Sequence, residues 1–467
     1  MGVGNMLKVN KDMCEGPLLG NIITYTIPIM LTGILQLLFN AADLVVVGRF
    51  CGSVSVAAVG ATGALTALLT NLFMGLSVGA GVSLAHALGS HDYKAAHRVV
   101  HTAMPTAAIC GLILSVLGIC FSKQLLIWMD TPNDVLPYSA LYMKIYFGGM
   151  IFNMIYNFGA SILRAAGETQ KPLFFLTLAG ILNVILNVIF VTVFDMNVAG
   201  VAVATTASQA LSATLVVIYL MKRTDCIQFI PKSMTFHSKT LLNILRVGIP
   251  SGIQASLFSI SNVIVQSSIN SFGEIVMSGN AAAANIEGFV YITVNSFYQT
   301  TLNFVGQNTG AGKYDRVKKV LLICLGCVTL VGLVLGSVIY LFGEQLLSIY
   351  ITDSAEAITY GMIRFSFVSL PYFLCGIMEV ATGALRGLGA AFTPMILSVV
   401  GVCGIRIAWV FTVFQYYHTQ QSLYLSYPIS WAMTLGMLLV AFCVIYKRRM
   451  ALQPRLTQKA EAQTANM

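Results

Sequence analysis

Three carboxylates lie well inside the apolar stretches of this 467-residue chain: Asp43, Glu287 and Glu379. An ionised group in hydrocarbon costs about 2.5–3.5 kcal/mol on insertion scales, so each is a candidate for ion or proton chemistry. Asp43 ends a polar stripe with Thr32, Gln36 and Asn40, spaced four, four and three apart, which puts them on one helical face. Such a face is expected to line a cavity; the bland alternative is a buried packing carboxylate. Asn183 and Asn187, at i and i+4, share a face of a later stretch, and Thr205 begins the next. Paired asparagines serve interhelical hydrogen bonding as readily as ion binding.

A second polar set sits in the carboxyl half. Glu287 shares a face with Tyr291 and Asn295, and Asn262, Gln266 and Asn270 follow Ser259 at spacings of three, four and four. Glu379 lies seven residues after Tyr372 and seven before Arg386. Glu287 or Glu379 is expected to face a cleft. The alternative is a pairing with Arg364 or Arg406 that only holds helices together.

The elements that must carry these groups follow from composition. Hydrophobic residues make up 57% of the chain, charged residues 9%, and the mean hydropathy is +0.82. Soluble domains carry roughly 25% charged residues, so this is a polytopic membrane protein. Twelve apolar stretches are long enough to cross about 30 Å of hydrocarbon. They run near 22–47, 54–84, 99–121, 138–163, 172–194 and 199–221, then 247–271, 278–306, 317–342, 361–385, 394–415 and 424–446. With both termini cytoplasmic, two of the 26 Lys and Arg fall in outer loops (Arg49, Lys123) and three within spans (Lys144, Arg364, Arg406). The rest are cytoplasmic, so the net charge of +9 reads as a topology signal rather than a nucleic-acid footprint. The cysteines fall mostly within apolar spans, where they act as small hydrophobes.

The chain is also written twice. Arg164, Gly167 and Pro172 answer Arg386, Gly389 and Pro394 at an offset of 222, as Pro28 answers Pro250. Gly89 and Tyr93 answer Gly310 and Tyr314 at 221, as Leu125 answers Leu346. Two repeats of six spans enter the membrane from the same side, and transporters commonly place substrate at such a repeat interface. The expected organisation is a first lobe over 1–221, a cytoplasmic linker over 222–245, a second lobe over 246–446 and a basic cytoplasmic tail over 447–467. Pro28 and Pro250 are expected kink points, and Arg164 and Arg386 are expected to snorkel or cap helix carbonyls.

Pro28, the Asn40–Asp43 group, Gly48, Gly60, the Gly75–Gly81 run, Gly89, the MDTP turn at 129–132, ILRAAGETQKP and VAGVAVATTASQ form an ordered set. In this set the chain resembles the multidrug and toxic compound extrusion (MATE) transporters over essentially its whole length. The resemblance implies an all-α fold of twelve transmembrane helices, in two pseudo-twofold-related six-helix bundles around a central cleft. It implies a secondary antiporter, not an enzyme, that exports aromatic or cationic compounds in exchange for H⁺ or Na⁺. It also implies a plasma-membrane monomer without cofactor. Asp43, Asn183 and Thr205 match the amino-lobe cation site of prokaryotic members, with Gln36 and Asn40 beside it. Asn187 stands where that pattern has a second Asp, which argues against two-proton chemistry there. One carboxylate with amide and hydroxyl oxygens still suits a hard monovalent cation, and Na⁺ at Asp43 is the one metal the set could hold.

Other motifs fail. GQNTGAGK at 306–313 approaches a phosphate loop, but Gln307 replaces the required Gly and Tyr314 the Ser or Thr after the Lys. His97 and His101 lack the Glu and third ligand of a zinc site. The Asp130–Asp134 pair reads as a loop turn rather than a prenyltransferase motif. The remaining alternative is a lipid-linked oligosaccharide flippase, which the scarcity of intramembrane basic groups disfavours.

Overall fold

Each apolar stretch is helical in the computed structural model, which describes residues 13–464 apart from Asp130 and Asp353. Asp130 of the Asp130–Asp134 pair therefore lies outside the described residues. The first half holds α1 (Leu18–Phe50), α2 (Ser53–Gly89) and α3 (Tyr93–Trp128). α4 (Leu136–Gly148) and α5 (Met150–Ala165) meet at Gly149, and α6 (Gln170–Thr192) and α7 (Asn197–Lys222) follow. The second half begins with α8 (Ser238–Asn270), α9 (Glu274–Gly310), α10 (Tyr314–Leu341) and a short α11 (Gly343–Ser348). α12 (Ala355–Arg364) passes through a π-helical segment, Phe365–Ser369, before α13 (Tyr372–Gly387). α14 (Phe392–Ser398), a second π-helical segment (Val399–Gly404) and α15 (Ile405–Phe411) form the next span. A single turn, α16 (Val413–Tyr416), leads to α17 (Gln420–Thr464), which continues as helix into the basic tail.

Among the described residues, nine helices are long and apolar enough to cross a membrane, and Ala355–Ser369 with Tyr372–Gly387 make a tenth, bent by 42°. The bend falls at Pro371, which has no backbone N–H to continue the helical ladder. The other two expected spans differ for physical reasons. One is interrupted at Gly149. The other, α9, buries polar side chains along its length, including Asn280, Glu287, Asn303, Gln307 and Asn308. A polar helix of that kind is shielded from lipid by protein.

The helices pack as two compact units: Thr24–Ala87 with Asp92–Ser259, and Met13–Ile23 and Leu88–His91 with the chain from Ile260 onward. The division between the two units falls inside α8. Close packing within the first unit accounts for it. Gly75 and Gly79 of α2 meet Gly248 and Gly252 of α8, each pair four residues apart, so small-residue stripes face one another. A Cβ on Gly75 would come within 2.2 Å of Gly252 N, and one on Gly79 within 2.1 Å of Ile244 O. Asn71 Nδ2 donates to Ser259 Oγ at 3.2 Å further along the same crossing. The linker docks through His101, whose Nε2 accepts from Ile230 N at 3.0 Å, and through Arg223, which pairs with Glu168 and Asp225.

Gly75→Leu or Gly79→Leu is expected to abolish monodisperse protein in size-exclusion chromatography, because backbone rather than a movable side chain blocks the new carbon. Gly60→Ala and Gly63→Ala, on the same helix with nothing within 4 Å, should leave Tm unchanged or raise it.

Candidate functional site

Three helices bring the amino-lobe residues together. Phe39, one turn before Asp43 on α1, lays its ring where a Cβ on Gly180 would come within 1.8 Å of it. Gly180 is one turn before Asn183 on α6, so this contact sets the level at which Asp43 meets the asparagines. α6 and α7 are joined by a tight turn with Asp195 (φ 51°) and Asn197 (φ 52°) in the left-handed region, which Asp and Asn tolerate best among non-glycine residues. Asn197 Oδ1 accepts from Ser55 Oγ at 2.8 Å, tying α7 to the start of α2.

Asp43 Oδ1 accepts a hydrogen bond from Asn187 Nδ2, and Oδ2 lies 3.5 Å from Thr205 Oγ1. Asn187 Nδ2 also donates to Asn183 Oδ1 at 3.3 Å, and Asn183 Nδ2 to Thr205 Oγ1 at 3.4 Å. Thr205 Oγ1 is closer, at 2.9 Å, to Val201 O. A hydroxyl has one hydrogen. If Val201 holds it, the Asp43–Thr205 contact is satisfied only by a proton on Asp43 or by a cation between two oxygens. Asn187 Oδ1 is buried with no hydrogen-bond partner among the described residues, which adds a third acceptor to the cluster.

No described Lys, Arg or His lies within ion-pair distance of Asp43. Val46, Val47, Val191 and Val201 form a buried aliphatic layer one turn from Asp43, Asn187 and Thr205, with Tyr142 packed against it. Tyr142 and Tyr146 stack with their ring centroids 6.0 Å apart. These tyrosines are absent from the sequence-derived set, although their i, i+4 spacing was visible.

The structure thus gathers Asp43, Asn183, Asn187 and Thr205. Gln36 and Asn40 are exposed, and neither hydrogen-bonds to the cluster. Gln36 lies two turns from Asp43, about 10 Å along the helix, beyond side-chain reach. Thr32 is buried and donates to Pro28 O at 2.7 Å, a back-bond beside the proline of the kind that bends helices.

The carboxyl-half residues do not share one cluster. Glu287 is paired: Arg364 Nη2 and Nε donate to its Oε2 at 2.6 and 3.1 Å, and Ser369 Oγ donates to Oε1 at 2.9 Å. Arg364 Nη1 also donates to Asn280 Oδ1 at 2.6 Å, which Tyr424 joins at 3.1 Å. Asn280 Nδ2 then donates to Gln266 Oε1 at 3.2 Å, and Gln266 to Asn270. Asn280, seven residues before Glu287 on the same face, is the partner sequence reading missed. The pairing favours a structural role for Glu287.

Asn262 instead lies 3.5 Å from Arg406 Nη1, whose guanidinium packs on Tyr427, 4.1 Å from the ring centroid. Glu379 is buried with no hydrogen bond or ion pair among the described residues, near Tyr291 and Arg386. Tyr291 is 42% exposed and Asn295 half-buried, with neither hydrogen-bonded to Glu287. Arg386 does not snorkel. It is buried and donates to Tyr298 Oη. No group of three or more described His, Cys, Asp or Glu residues could hold a metal ion.

The family model described as MatE matches residues 28–189 and 250–412, one match in each half. The chain is 26% identical over 434 residues to the probable multidrug resistance protein YoeA of Bacillus subtilis, covering 91% of this chain and 93% of that one. It is 22% identical to the multidrug export protein MepA of Staphylococcus aureus, over 82% of this chain and 85% of that one. Its fold superposes on an outward-facing multidrug resistance MATE family transporter with a TM-score of 0.86, at 21% identity over 95% of this chain and 98% of the other.

Glu287→Gln is expected to cost about 3–5 kcal/mol, read as a lowered melting temperature, because it strands the buried Arg364 charge. Glu379→Gln removes no pairing and should leave the melting temperature near that of the wild type.

Proposed function

Since the chain belongs to the MatE family of membrane transporters and is not an enzyme, we propose that it exports aromatic or cationic small molecules in exchange for H⁺ or Na⁺, coupled through Asp43. One observation carries this reading: a carboxylate deep in a span is solvated by Asn187 and Thr205, with no basic partner among the described residues. A permanent salt bridge would lock the charge. Amide and hydroxyl groups leave it open to a proton, a hard cation or a drug cation in turn. The names of the multidrug-exporting relatives support the substrate class, and they do not favour the flippase. Arg364 is already neutralised by Glu287, which leaves little basic charge for a pyrophosphate.

The proposed cycle moves one ion. The coupling ion occupies the oxygens of Asp43, Asn183, Asn187 and Thr205 in one state, and its release in the other frees the carboxylate. Gln36 and Asn40 line the approach along α1. In the second lobe Glu379 with Tyr291, Asn295, Asn262 and Gln266 provides polar lining, and Glu287 holds helices. The protein works as a monomer in the plasma membrane with both termini cytoplasmic, and its lobes are those read from the repeat.

Exchange of one H⁺ or Na⁺ for one monovalent drug cation moves no net charge. One pH unit then supplies about 1.4 kcal/mol, roughly tenfold accumulation. A second working carboxylate would make exchange electrogenic and add about 2.3 kcal/mol per 100 mV.

Efflux of a fluorescent aromatic cation from proteoliposomes tests both claims. Transport is expected under an imposed pH or Na⁺ gradient, to be lost in Asp43→Asn and to be insensitive to an imposed potential. Transport that survives Asp43→Asn overturns the coupling assignment; strong driving by potential alone overturns the single-ion cycle. Gly180→Val, which pushes Phe39 and α1 away from α6, should impair transport while Asp43 remains present.

A further inference from the structure

The rejected phosphate-loop motif ends in a cavity that the transport cycle does not use. Gly312, Lys313, Tyr314, Asp315, Arg316, Lys319 and Met450 line a space of about 490 Å³ at the start of α10. Three cations face one carboxylate there, and none of the three lies within ion-pair distance of any described acid. Lys313 Nζ donates to Cys14 O at 3.1 Å, and Arg316 Nη2 to Glu15 O and Gly16 O at 2.8 and 3.0 Å. These bonds fix the side chains but leave their charge uncompensated. Arg316 Nε is wholly buried and has no hydrogen-bond partner among the described residues. Lys319 is exposed and bonds to nothing described.

The internal repeat supplies a control. At the offset of 221 that relates Tyr93 to Tyr314, Lys313 answers Asp92. Asp92 caps α3, its carboxylate accepting from Ala95 N at 2.9 Å. Lys313 occupies the same cap position on α10 and makes no side-chain cap. The second half therefore places positive side chains at the positive end of a helix dipole, where an anion is favoured. Tyr446 Oη donates to Tyr314 O at 3.2 Å and holds α17 as the adjoining wall.

We propose that this pocket binds a phosphate group, carried by an anionic phospholipid of the inner leaflet or free in the cytosol. Basic pockets beside transmembrane helices on the cytoplasmic side take anionic headgroups by the same physics. Arg316 and Lys319 supply the charge, the first turn of α10 supplies the dipole, and Asp315 weakens the site.

Detergent-purified full chain is titrated calorimetrically with dihexanoyl-phosphatidylglycerol, dihexanoyl-phosphatidylcholine and inorganic phosphate. Saturable binding of the glycerol lipid and none of the choline lipid is expected. Lys319→Gln, which breaks no bond within the chain, should weaken binding about fivefold, and Asp315→Asn should strengthen it by a similar factor. Arg316→Gln should weaken it as well, with its melting temperature checked alongside. Tighter binding of the glycerol lipid than of phosphate assigns the site to a headgroup; equal affinities assign it to the free anion. Equal binding of both lipids, no binding of either anion, or affinities unmoved by Lys319→Gln and Asp315→Asn would overturn the proposal.

Discussion

Hydrocarbon offers no hydrogen bonds and almost no screening, so every polar group inside the membrane must find its partner within the protein. This one constraint organises the polar side chains described here. Glu287 meets it with an arginine, a serine and, through Arg364, an asparagine and a tyrosine, and the result is a saturated junction among α9, α12 and α17. Asp43 meets it with an amide and a hydroxyl, which stabilise a carboxyl group without fixing its charge. The same residue type is thus structural at one site and available for exchange at the other. The difference lies in whether a permanent cation is adjacent.

Helix spacing was enough to identify much of this. Asp43, the Asn183–Asn187 pair and Thr205 stand out from their types and intervals, and the structure brings them within hydrogen-bonding range. What spacing could not supply is which faces meet. Gln36 lies on the same stripe as Asp43 but too far along the axis to join it, a distance that a helical wheel hides. Tyr142 and Tyr146 look like ordinary aromatic lining until α4 is seen against α1. Glu287 and Arg364 are separated by 77 residues, and nothing local distinguishes that pairing from one with Arg406. The twelve stretches were legible from hydropathy, yet α9 is polar enough to resemble a poor membrane helix when its burial is unknown.

The two halves also show how a duplicated scaffold diverges. Glu379 answers Asn157, which is satisfied locally by Asn153 at 2.8 and 3.0 Å, whereas Glu379 has no such partner among the described residues. Lys313 answers the capping Asp92. In both cases the backbone element persists while the electrostatic character of a single position is inverted or created. Repeats that began alike can in this way divide their tasks without changing how helices pack.

The π-helical segment at Phe365–Ser369 bears on a detail of the duplication itself. The two halves align at an offset of 221 from Gly89 and Gly310 to Leu125 and Leu346, and at 222 from Arg164 and Arg386 to Pro172 and Pro394. The interval between these pairs is therefore one residue longer in the second half, and it contains this segment. A π turn accommodates one residue more than the α turn it replaces, so a helix can absorb an insertion as a local bulge. Had the added residue instead propagated along a regular helix, everything beyond it would have turned by about 100°. Glu379 and Arg386 would then have faced other neighbours. A bulge of this kind absorbs an added residue while leaving the register of the span beyond it intact.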